Sequence, residues 1–142
     1  MLVIRNIEYK DLKTVINLTR VTLSNFEPNA SDYSKIWSTF NSQSNVFGFV
    51  GVMDSSVLVY CSLLVEAKIR GGCVGYIQDF AVIPSHQKRG LGSEMFKFVE
   101  KFALDLGCYK LVLSTKVENQ EFYEKNGFST HEISMLKRLT KK

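Results

Sequence analysis

Cysteine, proline and histidine are all scarce in this 142-residue chain, with three, two and two copies. Cys61, Cys73 and Cys108 make no CxxC pair and lie far in sequence from His86 and His131. That spacing supports neither a zinc site nor an even disulfide framework. The expectation is reduced thiols in a cytoplasmic protein, and no metal. Two prolines and nine glycines exclude collagen-like and low-complexity chains. No apolar run approaches the roughly 18 residues of a membrane helix. Residues 1–6 lack the basic flank, apolar stretch and cleavage site of a secretory leader, so the chain is expected to begin here and to meet no membrane. Charge of one sign is lacking too: 18 basic against 14 acidic side chains leave +4. Such a surface fits an anionic partner without requiring one. No helix-turn-helix, zinc finger or stacking platform is visible, and no nucleic-acid partner is expected.

What is present is an ordinary globular composition, 45% hydrophobic and 23% charged, in a length that one domain fills. Residues 1–142 are read as one domain. Residues 2–7 read as a strand. Asp11 is placed to cap a helix carrying Leu12, Val15, Ile16, Leu18 and Leu23. After the Glu27-Pro28-Asn29 break, Ser31 or Asp32 opens a second helix to about Phe40. Its Tyr33, Trp37 and Phe40 suit either the core or the roof of a pocket. Residues 46–53 and 57–65 read as a hairpin about Asp54-Ser55-Ser56, and 74–83 as a strand that Pro84 ends. Residues 90–106 form the clearest helix, with Leu91, Met95, Phe98, Val99, Phe102 and Leu106 on one stripe and Gly107 at its C-terminal cap. A strand at 109–114, buried on both faces, a short helix at 119–126 and a last strand at 128–139 complete the order. Alternating strands and helices in the second half predict a mixed α/β sheet covered by helices.

The chemistry-bearing stretch is Pro84-Ser85-His86-Gln87-Lys88-Arg89-Gly90-Leu91-Gly92-Ser93, which joins a strand to the strongest helix. Two glycines one residue apart let backbone N–H groups approach a bound group, and the helix beginning there adds its positive dipole end. Lys88 and Arg89 are placed to add charge-assisted contacts to phosphate oxygens. A tight turn with an exposed basic pair satisfies the same residues. The pattern is neither a Walker A loop nor a dinucleotide fingerprint.

Gln87, Gly90 and Gly92 occupy the fixed positions of the Q/R-x-x-G-x-G/A loop, so the chain resembles the GNAT N-acetyltransferase family. The preceding strand end Asp79-Phe80-Ala81-Val82-Ile83-Pro84, and Asn119 with Phe122-Tyr123-Glu124-Lys125-Asn126-Gly127-Phe128 downstream, carry the likeness further. It implies the GNAT fold, a single mixed and largely antiparallel sheet flanked by about four helices. Gly75-Tyr76-Ile77-Gln78-Asp79, Gly107-Cys108-Tyr109-Lys110, the short Asn119–Tyr123 interval and Arg138 after Met135 are most similar to members acting on amino-sugar phosphates such as glucosamine 6-phosphate. Gln78 stands where those members have glutamate, and Ser114-Thr115 where they have Asp-Cys.

The activity implied is acetyl transfer from acetyl-CoA to a primary amine by direct attack, in a homodimer. The resemblance gives Tyr123 the leaving thiolate, Asp79 the base or substrate-holding role, and the Phe80 backbone the oxyanion. Ala81, Val82 and Ile83 would meet the pantetheine arm. Gln87, Lys88, Arg89, Gly90, Leu91, Gly92 and Ser93 would hold the pyrophosphate, Asn119 the pantetheine amides, and Lys125 a CoA phosphate. Gln78, Asp79, Tyr109, Lys110 and Ser114 are acceptor candidates, and Lys68, Arg70, Lys110 and Arg138 candidate cations for an acceptor phosphate. The alternatives are another acceptor (a polyamine, an antibiotic or a protein amine) and a non-catalytic acetyl-CoA-binding regulatory module. Lys141-Lys142 is read as a frayed tail.

Overall fold

The computed structural model describes residues 1–140; Lys141 and Lys142 lie outside them. Five strands follow one another across the sheet in chain order: β1 (Val3–Asn6), β2 (Val46–Met53), β3 (Ser56–Ala67), β4 (Cys73–Val82) and β5 (Cys108–Val112). The first three pairings are antiparallel, and β4 and β5 run parallel. The β2–β3 turn is tighter than expected. Met53 already pairs with Ser56, leaving Asp54 and Ser55 as a two-residue loop with φ of 50° and 65°. That left-handed pair matches the twist of the flanking strands.

Strand alternation builds two cores. Phe49, Cys61, Leu63 and Ile77 face one side, against α3 (Leu91–Asp105), whereas Val50, Tyr60 and Ala81 face the other, against Val15 and Leu18 of α1 (Leu12–Thr22). Helix α2 (Tyr33–Asn41) adjoins α1, with Trp37 tilted against Tyr9 at 6.1 Å. Helix α3 buries Leu91, Met95 and Val99 as the stripe requires, and also Phe96 and Ala103. Leu106 is exposed, because the helix has ended and Gly107 turns the chain at φ +88°.

Three expectations are corrected. Asp11 does not cap α1. Its carboxylate accepts a bidentate pair from Arg5 at 2.7 and 3.0 Å and the Glu8 N–H at 2.8 Å, locking the turn between β1 and α1. Strand β5 ends at Val112 and is half-buried rather than covered on both faces, because it lies at the sheet edge. Residues 128–139 do not form a strand. After α4 (Gln120–Lys125) the chain runs without regular structure, and residues 129–140 are exposed throughout. A strand needs a hydrogen-bonding neighbour, and no other segment within the described residues pairs with this one.

Candidate active site

Strands β4 and β5 pair only from Cys73–Cys108 to Tyr76–Val112. Beyond Tyr76, β4 continues alone on that side, so the two strands form a fork. Just past the split β4 carries a bulge: Tyr60 pairs with Ala81 but Ser62 with Gln78, so Asp79 and Phe80 share the single position opposite Cys61. Asp79 supplies the extra residue at φ +51°. A residue added to one strand inverts the alternation. Ile77 therefore faces α3, while Ala81, four residues on, faces α1.

The inversion sends the Phe80 side chain toward α3, where it stacks on Phe96 at 4.6 Å and 18°. It also sorts the backbone. Ile83 donates its N–H to the Leu58 carbonyl at 2.8 Å, so alternation turns the N–H groups of Phe80 and Val82 away from β3 and into the fork. The expectation that Ile83 offers a free N–H is thus corrected, and Ala81 shares its direction. Ala81 is buried, as its place in the α1-side core demands.

The Pro84–His86 turn leads to the glycine loop, in which Lys88 has φ +64° and Gly90 φ +80°. The first backbone bond of α3 runs from the Glu94 N–H to the Gly90 carbonyl at 3.0 Å. The N–H groups of Leu91, Gly92 and Ser93 precede that bond and form the open end common to helix starts. The two glycines serve different ends. At Gly90 a Cβ would meet nothing within 4 Å, so its requirement is conformational. At Gly92 a Cβ would lie 2.8 Å from Phe122 Cζ and 2.9 Å from Phe80 Cζ, so glycine there lets the helix start close onto the aromatic cluster. The loop reading anticipated only backbone access. Gln87 turns back, its Nε2 donating to the Val82 carbonyl at 3.2 Å, while Lys88 and Arg89 are exposed.

Tyr123 closes the fork from α4. Its ring packs edge-on to Phe80 at 6.2 Å, to Phe122 at 5.2 Å and to Phe128 at 6.1 Å. Burial raises the phenol above its ordinary value, and the neighbouring Thr115 hydroxyl partly offsets this. Thr115 entered the sequence reading only as half of a substituted pair, and no spacing signal connects it to Tyr123. The buried Cys61 thiol, pushed up to about 12 by desolvation, lies beneath the same cluster.

Of the other candidates, Gln78 lies on the β4 arm of the fork beside the bulge and Ser114 two residues past the end of β5, whereas Tyr109 and Lys110 belong to the paired end and Lys68 to the loop beyond it. Lys68 bonds Glu66 and the Tyr76 hydroxyl, the latter at 2.7 Å, beside the β3–β4 loop that also holds exposed Arg70. Ala67 pairs with Cys73, five residues before Gln78 and so about 16 Å along the strand from the bulge. Lys68 is therefore not a free cation at the fork. Lys125 pairs with Glu121 at 3.8 Å on the exposed face of α4, and Asn119 precedes that helix. Gln78, Tyr109, Lys110 and Ser114 are exposed, with Lys110 Nζ 5.7 Å from the Tyr109 ring. Arg138 lies on the exposed, irregular segment past Phe128. Among the described residues no cluster of three or more His, Cys, Asp or Glu side chains is placed to hold a metal, and no helix is long and apolar enough to cross a membrane.

A family model described as the acetyltransferase (GNAT) family matches residues 12–128. This chain belongs to the GNAT acetyltransferase family. Among GNAT relatives, glucosamine 6-phosphate N-acetyltransferase of Trypanosoma brucei brucei is 40% identical over 76 residues, 52% of each chain. The match thus spans about half the length of that relative. The same enzyme of Candida albicans is 29% identical over 114 residues, 78% of this chain and 76% of the relative. The crystal structure of glucosamine-6-phosphate N-acetyltransferase from Arabidopsis thaliana superposes with a TM-score of 0.88 at 25% identity, covering 99% of both chains.

Proposed function

We propose that this protein transfers an acetyl group from acetyl-CoA to the primary amine of a small acceptor, with glucosamine 6-phosphate as the first acceptor to test. The observation that carries the reading is the fork: two strands parting at Tyr76, with the bulge at Asp79 directing the Phe80 and Val82 N–H groups into the gap beside the start of α3. The donor set fits the co-substrate, since an amide-bearing chain can lie along a strand edge and a diphosphate suits an open helix start. The relatives' names add the amino-sugar phosphate.

In this reading the Val82 edge binds the pantetheine arm as a strand would. Leu91, Gly92 and Ser93, with Lys88 and Arg89, bind the diphosphate. The Phe80 N–H donates to the oxygen of the thioester carbonyl as negative charge develops there; losing such a donor typically costs about 3 kcal/mol. Asp79, exposed at the bulge, accepts the proton of the attacking ammonium directly or through water. Glutamine at position 78 cannot take that proton but can orient the water. Tyr123, kept protonated by burial, donates to the departing thiolate. Its raised pKa keeps the proton present at neutral pH and for some distance above.

We further propose that the working unit is a homodimer. The exposed β5 edge and the exposed segment 129–140, carrying Ile133, Met135, Leu136 and Leu139, are the two halves of one missing pairing. Beside β5 a cleft of about 320 Å³ lies among Cys108, Tyr109, Leu111, Leu104 and Phe128. Pairing between copies would bring Arg138 of one toward the site of the other, as a cation for an acceptor phosphate.

A thiol-release assay with acetyl-CoA and an amine panel tests the activity. Thiol release with glucosamine 6-phosphate is expected to exceed that with polyamines, aminoglycosides or peptides. Tyr123→Phe is expected to lower kcat by at least tenfold while leaving CoA affinity within about twofold. Measurable CoA binding with no turnover on any amine would replace the enzyme reading with a binding module.

A further inference from the structure

Two thiols that the sequence holds 35 residues apart meet across the parallel ladder. Cys73 and Cys108 are register partners, and their sulfurs lie 3.6 Å apart. Neighbouring strands run about 4.8 Å apart, inside the Cα window of about 4.4–6.8 Å that a disulfide accepts. Cys73 is half-exposed and its thiol also points to the Leu106 carbonyl at 3.6 Å; Cys108 lies just beneath it, 7% exposed. Cys61 is fully buried among other residues of the core.

We propose that Cys73 and Cys108 are a reversible oxidation site, forming an intrachain disulfide when the protein meets a hydroperoxide. The half-exposed Cys73 thiol gives up its proton and its sulfur attacks the distal peroxide oxygen; the O–O bond breaks, and the departing hydroxide or alkoxide takes up a proton to leave as water or an alcohol. The Cys73 sulfenic acid so formed is attacked by Cys108 sulfur, the S–O bond breaks, and a second water leaves with the Cys108 proton. Two thiols are thereby oxidised by one two-electron oxidant, and a dithiol reverses the change. Burial and the neighbouring thiol hold Cys108 up at about 11, which makes it the slower, resolving partner rather than the first to react. The bond would close a loop containing β4, the glycine loop and α3, so the segments proposed to hold the pantetheine arm and the diphosphate become one cross-linked ring. It ties the closed end of the fork, three paired positions before the strands part.

The experiment treats the full-length protein with hydrogen peroxide, blocks remaining thiols with an alkylating agent under denaturing conditions, and maps the peptides by mass. The expected product has lost two hydrogens, contains one peptide joining Cys73 to Cys108, and leaves Cys61 free for alkylation. It melts about 10 °C above the reduced protein, and dithiothreitol restores the original melting point. Cys73→Ser shows neither the cross-link nor the shift. Oxygen added to Cys73 without a cross-link, a bond to Cys61 or between chains, or a cross-link that leaves melting unchanged would each overturn the proposal. These readouts do not depend on acetyl transfer, so failure of one reading leaves the other intact.

Discussion

Asp79 sits at φ +51°, where most side chains cost about 1–2 kcal/mol and aspartate or asparagine rather less. The position thus joins a backbone requirement to a proposed proton acceptor, and two substitutions separate them. Asparagine keeps the conformational tolerance and removes the charge. Asp79→Asn is therefore expected to melt within about 2 °C of the parent while losing at least tenfold in kcat. Asp79→Ala is expected to lose the rate and in addition about 1 kcal/mol of stability, read by denaturant unfolding. Unchanged turnover in the asparagine variant would reduce Asp79 to a bulge residue. Arg5 and Asp11 offer a pH-dependent case. The guanidinium bond holds the buried Asp11 carboxyl below its ordinary range. A depressed acid contributes fully above its unfolded value, near 3.9, and the contribution disappears as pH falls through the lower folded value. Asp11→Asn is expected to cost about 2 kcal/mol at pH 7. Unfolding curves of the two proteins should converge as the pH is taken below about 4.

At the scale of elements, the bulge in β4 and the start of α3 are coupled through aromatic rings. The inverted alternation turns Phe80 onto Phe96, and the missing side chain at Gly92 lets Phe122 and Phe80 close over the helix start. Gly92→Ala places a Cβ within 3 Å of both ring ends, and those rings are held by Phe96 and Tyr123. The expected cost is about 1–3 kcal/mol, with CoA affinity reduced because both the loop and the Phe80 backbone must shift. Gly90→Ala meets no atom and is expected to cost only its φ strain, about 1 kcal/mol. Calorimetry on the pair distinguishes packing from conformation: equal losses would refute the assignment.

At the scale of the molecule, one chain leaves a sheet edge and an apolar tail exposed together. Ile133, Met135, Leu136 and Leu139 are between 79% and 91% exposed, a pattern soluble chains seldom keep unless it is covered by a partner. Sedimentation is expected to give twice the monomer mass. Met135→Asp is expected to shift the equilibrium toward monomer and to raise KM for a phosphorylated acceptor. Arg138→Ala is expected to leave the dimer intact yet raise that KM at least tenfold, with KM for acetyl-CoA unchanged. A monomer that retains full activity would remove the shared-site reading.

Local spacing carried much of this protein. The period of α1 and α3, the left-handed cap at Gly107, the β2–β3 hairpin and the Gln87-Gly90-Gly92 loop all follow from interactions within a few residues, which a sequence displays directly; the helix expected from Gly90 starts at Leu91, with Gly90 turned at φ +80° before it. What depends on partners distant in the chain was decided by the tertiary structure. The bulge at Asp79 appears only when β4 is registered against β3, and the fork only when β5 stops beside Tyr76. Gly92 looked like a phosphate-loop glycine, and its contact with Phe122 required the α4 packing to become visible. Lys68 looked free until the β3–β4 loop placed Glu66 and Tyr76 beside it. In the tail at 128–139, Ile133, Met135 and Leu139 would share one strand face and Leu136 the other, and such a pattern specifies only which side chains share a face. Whether a strand forms depends on a hydrogen-bonding edge, and folding of one chain leaves that edge and that tail unjoined.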